Sequence, residues 1–259
     1  MKKEKLNSIC NFNIVMGTFH FIQGVFMLIV ALNFDKAINF KPEIVSSFLK
    51  FDLNSMKLVT ETKVLFELPF AVLVAVFLFL SAFFHFLIVS PIFKKKYAEG
   101  LENKINMFRW YEYALSSSLM MVLIAVLFGI YEIGSLILIF GLNATMNLFG
   151  LLMEKINQNK EKTDWLPFIY GAFAGIIPWI VIIMYAFGNS DPTKIPWFVY
   201  AVFGSYFVFF NLFPINMTLQ YKKVGKWKDY LYGERAYIIL SLVAKSVLAW
   251  LVFFGIMQP

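Results

Sequence analysis

The sequence predicts an all-α membrane protein, a seven-transmembrane-helix bundle with a short β-ribbon in its first extracellular loop. Three observations carry this reading. Of the 259 residues, 60% are apolar, 19% aromatic and only 15% charged, whereas about a quarter of a typical soluble chain is charged. Seven apolar runs are long enough to cross a hydrocarbon core about 30 Å thick, which takes roughly 20 helical residues. The Lys and Arg residues cluster between those runs, a pattern of membrane topology and not of nucleic-acid binding. The same composition excludes disorder, which needs low hydrophobicity. With Cys10 as its single thiol, the chain cannot be a disulfide-stapled scaffold.

The runs lie near Ser8–Leu32, Val64–Phe93, Ile105–Gly129, Ile133–Ile156, Trp165–Gly188, Trp197–Tyr221 and Arg235–Met257. Charged residues or turns containing Pro, Gly or Asn bound each of them. The first follows a Lys-rich start, but its length, His20, Gln23 and the lack of a small-residue cleavage site mark it as an uncleaved span. Residues 33–63 form the one long connection, of a length that is usually structured or functional. Within it, Lys57–Val64 is rich in Val, Leu and Thr with partial alternation, which predicts the ribbon. Residues 1–259 are read as one domain, with no internal repeat.

Orientation follows from the 23 basic residues. Sixteen fall on the side of the N-terminus: Lys2, Lys3, Lys5, Lys94, Lys95, Lys96, Lys104, Arg109, Lys155, Lys160, Lys162, Lys222, Lys223, Lys226, Lys228 and Arg235. Six fall on the other: Lys36, Lys41, Lys50, Lys57, Lys63 and Lys194. This excess predicts a multi-pass protein of the cell membrane with its N-terminus cytoplasmic and its C-terminus, at Pro259, extracellular. The partners this implies are membrane lipid and no nucleic acid.

The last basic residue, Lys245, lies in the middle of the seventh run. At that depth an ammonium must be paired, neutralised or used covalently; a structural ion pair and a reactive amine are both open at this point. Glu112, on the third run, is its natural partner. Counted along ideal helices, Glu112 lies about 10 Å and Lys245 about 16 Å from the cytoplasmic edge. Ser116 stands one turn beyond Glu112 and Ser241 one turn before Lys245, so each charge has a hydroxyl on its own face. His20 and His85 fall in the same half of the membrane. Two histidines without cysteine make a poor metal site, so no metal is expected; with Gln23 they are read as lining a polar cavity beside Glu112.

The opposite half offers only Asn143, Thr145 and Asn147 on the fourth run, with Glu67 and Glu132 near the outer boundary. Asn147 is read as interhelical hydrogen-bond glue. Phe207, Phe210, Pro214 and Met217 recur at helical spacing on the sixth run. With Trp179, Ser117 and Met120 they outline a slot leading away from Lys245, although packing explains most of the Phe content. Gly171 and Gly175 match a small-xxx-small helix contact.

Four segments resemble heliorhodopsins: Arg109-Trp-Tyr-Glu-Tyr-Ala-Leu-Ser-Ser-Ser-Leu-Met120, Asn143-Ala-Thr-Met-Asn-Leu-Phe-Gly150, Asn216-Met-Thr-Leu-Gln-Tyr221 and Gly233-Glu-Arg-Ala-Tyr-Ile-Ile-Leu-Ser-Leu-Val-Ala-Lys245. The resemblance agrees with the inside N-terminus derived from charge. It implies a light-sensing membrane photoreceptor, not an enzyme, that is usually dimeric and acts on an unidentified cytoplasmic signalling partner. It further implies all-trans retinal bound to Lys245 as a protonated Schiff base, Glu112 as counterion, and Ser116 and Ser241 near the linkage. His20 and His85 match the family's two intramembrane histidines. The remaining pocket candidates are Ser117, Met120, Asn143, Trp179, Phe207, Phe210 and Met217, the sixth run carrying Phe where ion pumps have Trp. No ion pumping is expected. A light-gated proton channel and a pigment-free transporter or receptor are the alternatives, separable by photocurrent and by a visible band with retinal.

Overall fold

The computed structural model describes residues 3–158, 160–188 and 197–257. Of the sequence positions used for topology, Met1, Lys2, Lys194 and Pro259 lie outside the described residues. Seven of the helices are long and apolar enough to cross a membrane. In chain order they are α1 (Lys3–Asn33), α3 (Phe70–Val89), α5 (Met107–Leu127), α6 (Ile133–Ile156), α7 (Leu166–Phe187), α8 (Trp197–Tyr221) and α9 (Tyr230–Gly255). The short helices α2 (Asp35–Asn39) and α4 (Lys94–Glu102) lie in the connections. The bundle expected from the sequence is therefore present, as the chemistry requires: a helix satisfies its own backbone polar groups where no water is available.

Where helices begin, short polar side chains take up free amides. Asn106 accepts from the Arg109 amide, Glu132 from that of Ser135 and Asp229 from that of Leu231. The last cap moves the start of α9 five residues ahead of the expected Arg235. The second span also differs from expectation. Val64–Glu67 belongs to a strand, because the apolar run continues through a ribbon segment before Pro69 and the helix start at Phe70. The amphipathic α4 was not expected from the sequence; it buries Tyr97 and Leu101, one turn apart, and leaves its lysines outside.

Strands β1 (Glu43–Asp52) and β2 (Lys57–Glu67) pair antiparallel from Glu43↔Glu67 to Asp52↔Lys57, with a bulge between Ile44 and Val45. At the turn, the Asp52 carboxylate accepts the amides of Asn54 and Ser55. The ribbon is fastened to the loop between α5 and α6: the Val45 amide donates to the Tyr131 carbonyl at 3.0 Å, and Ser46 donates to Glu132 at 3.4 Å. Hydrogen bonds from the α6 amides hold the Glu132 carboxyl below the ordinary range.

Helix α1 packs on α3, α3 on α5, α5 on α6, α6 on α7 and α8 on α9, and α9 returns against α1 and α3. Trp179 of α7 stacks on Tyr206 of α8, with centroids 4.9 Å apart. The largest core cluster fills the ribbon-side half, built from Phe70, Val74, Phe77, Met120, Ile124, Trp179, Ala249 and Val252 among others. Gly171 and Gly175 face α6: a Cβ at Gly175 would stand 2.4 Å from the Met146 sulfur. Their small-residue spacing thus serves contact within the chain.

Candidate functional site

The site begins with the Lys245 ammonium, buried in the middle of α9. It donates to Ser81 Oγ at 2.7 Å and forms an ion pair with Glu112 Oε1. Ser81 Oγ in turn donates to the same carboxylate oxygen at 2.8 Å. Three helices thus converge on one charge pair: α9 supplies the cation, α5 the anion and α3 the bridging hydroxyl. The aromatic faces of Tyr113 and Phe77 stand 5.1 and 5.8 Å from Nζ, giving the cation further electrostatic support. A buried pair needs such surroundings, since desolvation otherwise exceeds the Coulombic gain.

From Lys245 an elongated cavity of about 590 Å³ runs between α5, α6, α7, α8 and α9. This falls within the range of about 300–1,000 Å³ for small-molecule sites. Ser117, Met120, Trp179, Phe207, Phe210 and Met217, all anticipated from the sequence, line it together with Lys245. Phe77, Met146, Tyr206, Phe213 and Leu248 complete the apolar wall and were not singled out by sequence. Asn143 does not line the cavity. It donates to Ser117 Oγ at 2.8 Å and Ser118 Oγ at 3.0 Å, and Asn147 donates to the same Ser117 hydroxyl at 3.0 Å, so both tie α6 to α5. Ser116 lines neither this cavity nor the smaller one described next; its buried hydroxyl has no hydrogen-bond partner among the described residues.

On the other side of the charge pair lies a cavity of about 40 Å³, whose polar lining includes Asn13, Ser81, His85, Glu112 and Ser241 among apolar walls of Phe84, Ile88, Phe108 and Ile238. It has room for about three waters. His85 Nδ1 is 2.7 Å from Asn13 Oδ1, and its ring stacks on that of His20 with centroids 5.7 Å apart. This stacking is possible because α1 carries Gly17, where a Cβ would stand 2.8 Å from the Cβ of His85. His20 is fully buried, and neither ring nitrogen has a hydrogen-bond partner among the described residues. Gln23, expected to join the histidines, turns instead to α9. It donates to Ser246 Oγ at 3.0 Å and accepts from Trp250 Nε1 at 3.1 Å, so that α9 satisfies both ends of its amide.

The small cavity ends at a second charged cluster. Arg109, counted by sequence among the cations on the side of the N-terminus, is buried and pairs with both Glu154 and Glu234. Asn106, Trp110 and Tyr230 also donate to these carboxylates, and the guanidinium lies 4.0 Å from the Tyr237 ring centroid. Two signals point to the residues that sequence reading missed. Ser81 stands one turn before His85 and Arg109 three residues before Glu112, each on the face of a residue already chosen.

An amine beside a carboxylate, in the lining of a large apolar cavity, is an arrangement that can hold a long apolar aldehyde covalently and keep the nitrogen charged. The residues present therefore fit retinal, and the comparison with known families bears on that fit. No curated protein matches the chain. The heliorhodopsin family model, by contrast, matches residues 9–257. On a match over nearly the whole chain, this protein belongs to the heliorhodopsin family of retinal-binding, light-sensing membrane rhodopsins.

Proposed function

We propose that the protein is a photosensory receptor in which Lys245 binds all-trans retinal as a protonated Schiff base, with Glu112 as counterion and without ion pumping. The observation that carries this reading is the Lys245–Glu112 pair, with Lys245 in the lining of the large apolar cavity. Retinal supplies light absorption and a polyene that changes shape when excited. The protein supplies the rest. Lys245 provides the primary amine, and the buried Glu112 carboxylate favours a positive charge on that nitrogen. Ser81 orients the carboxylate through its hydrogen bond. Trp179, Tyr206, Phe207 and Phe210 would supply apolar wall for the polyene, while Asn143 and Asn147 fix Ser117 in the wall. Ser241 and His85 border the polar cavity, where His85, stacked on His20, can take up a proton leaving the Lys245 nitrogen and hold it beside Glu112. The output passes through the helices to a cytoplasmic signalling partner, and the working form is a homodimer.

The test is a visible spectrum of the purified protein with retinal, before and after hydroxylamine in light. A band that hydroxylamine bleaches is expected for wild type, and Lys245→Ala is expected to fold without colour. A normal band in Lys245→Ala overturns the assignment, and the absence of any band in wild type favours the pigment-free alternative.

A further inference from the structure

We infer that Asn13 fixes the tautomer of His85, making Nε2 the nitrogen that exchanges protons with the polar cavity. The inference deepens the proposed photosensory reading and rests on it for its role, but its geometry stands alone. Asn13 Nδ2 donates to the Ile9 carbonyl at 2.8 Å, one turn back on α1, and reaches the Tyr97 hydroxyl at 3.3 Å. A backbone carbonyl only accepts, so the NH₂ end of the amide must face Ile9 and the oxygen end must face His85. His85 Nδ1 lies 2.7 Å from that oxygen. Two acceptors at such a distance repel, so Nδ1 carries the hydrogen in the neutral ring and in the charged one alike.

Turning the amide over would set its oxygen against the Ile9 carbonyl with both groups buried, where an unsatisfied contact is costly. Nε2 is therefore the nitrogen that gains and loses the proton. His85 lines the same small cavity as Ser81 and Glu112. The groups facing it are Glu112 and Lys245 across Ser81, the stacked ring of His20, and Tyr97 beyond Asn13. Asn13 is thus a positioning residue that leaves Nε2 as the basic nitrogen of His85. It also links that ring by two hydrogen bonds to Tyr97, the buried anchor of α4.

The chain has two histidines, so nitrogen NMR of the full-length protein labelled at histidine reads each ring directly, with His20→Phe assigning the signals. On the alkaline side of its titration, His85 is expected to show Nδ1 protonated and Nε2 bare, the reverse of the form free histidine favours. A bare Nδ1 with Nε2–H in wild type overturns the inference. In Asn13→Leu, the Nδ1–H preference is expected to be lost and Nε2–H to appear, while Asn13→Asp, which keeps an acceptor, retains Nδ1–H. An unchanged spectrum in Asn13→Leu also overturns it; should that variant fail to fold, the wild-type spectrum decides. The measurement needs no retinal, so failure of the pigment assignment and failure of the tautomer assignment are told apart.

Discussion

A single oxygen of Glu112 receives both the Lys245 ammonium and the Ser81 hydroxyl, so the two contacts are not equal in consequence. Removing one partner of a buried ion pair costs about 3–5 kcal/mol; at 1.36 kcal/mol per unit, that is about two to four pH units. Glu112→Gln is therefore expected to move the loss of the visible band to a pH lower by that amount. Ser81→Ala removes only a hydrogen bond to a charged group, about 1.5–3 kcal/mol, and is expected to shift the transition by about one to two units. Spectral pH titration of the two variants checks the order; a Ser81→Ala shift as large as that of Glu112→Gln would place the main stabilisation on the hydroxyl. The difference in energy mirrors the difference in legibility. An ionisable residue inside an apolar run declares itself, which is why Lys245 and Glu112 could be read from sequence. A serine does not, because it is tolerated at many places in a membrane helix, and its importance here comes from the contact between α3 and α9. The setting of Arg109 was hidden for a related reason: near the end of a span a cation normally reaches the surface, and only its two carboxylate partners, distant in sequence, keep it inside.

At the level of helices, the pocket wall depends on close approaches that only small residues allow. A Cβ at Gly150 of α6 would stand 2.2 Å from the Trp110 ring, and that ring is held by its hydrogen bond to Glu154 at 2.7 Å. Gly150→Ala should therefore separate α5 from α6 instead of displacing a loose side chain, at a cost of about 1–3 kcal/mol. A lowered thermal midpoint together with weaker retinal uptake is expected. Unchanged midpoint and uptake would mean that Trp110 can move after all. The identity of the seven spanning helices was readable, since length and hydropathy suffice for a span. Boundaries were not: Val64–Phe66 continues the apolar character of the helix that follows, and its assignment to β2 comes from pairing with β1, a long-range event. Likewise α4 is mostly charged, and only its packing against Ile9, Ile88 and Phe108 makes its Tyr97 and Leu101 face meaningful.

For the molecule as a whole, topology and transport follow from asymmetry. Moving Arg109 out of the basic count leaves fifteen against six, so the charge argument still places the N-terminus inside. A tag before Met1 is expected to be shielded in intact cells and one after Pro259 to be labelled; the reverse pattern would overturn the orientation. The interior is asymmetric in the same sense. The polar cavity, the histidines and the Arg109 cluster all lie on the N-terminal side of Lys245. Toward the ribbon lies a packed apolar cluster that includes Met121, Leu123, Ile124, Val126, Leu248, Val252 and Phe253, and the polar groups beside it, Gln23 with Ser246 and Trp250 and Asn143 with Ser118, are neutral. A pump must move a proton through titratable or hydrated groups on both sides of its switch. Here a proton leaving the Lys245 nitrogen can reach His85 and return, but crossing the ribbon-side cluster would carry charge through close-packed hydrocarbon. Illuminated cells containing the pigment are accordingly expected to show no sustained pH change that a protonophore abolishes. A steady retinal-dependent change would defeat this reading, and a passive photocurrent that reverses with voltage would show that the apolar cluster opens in light and favour the channel alternative.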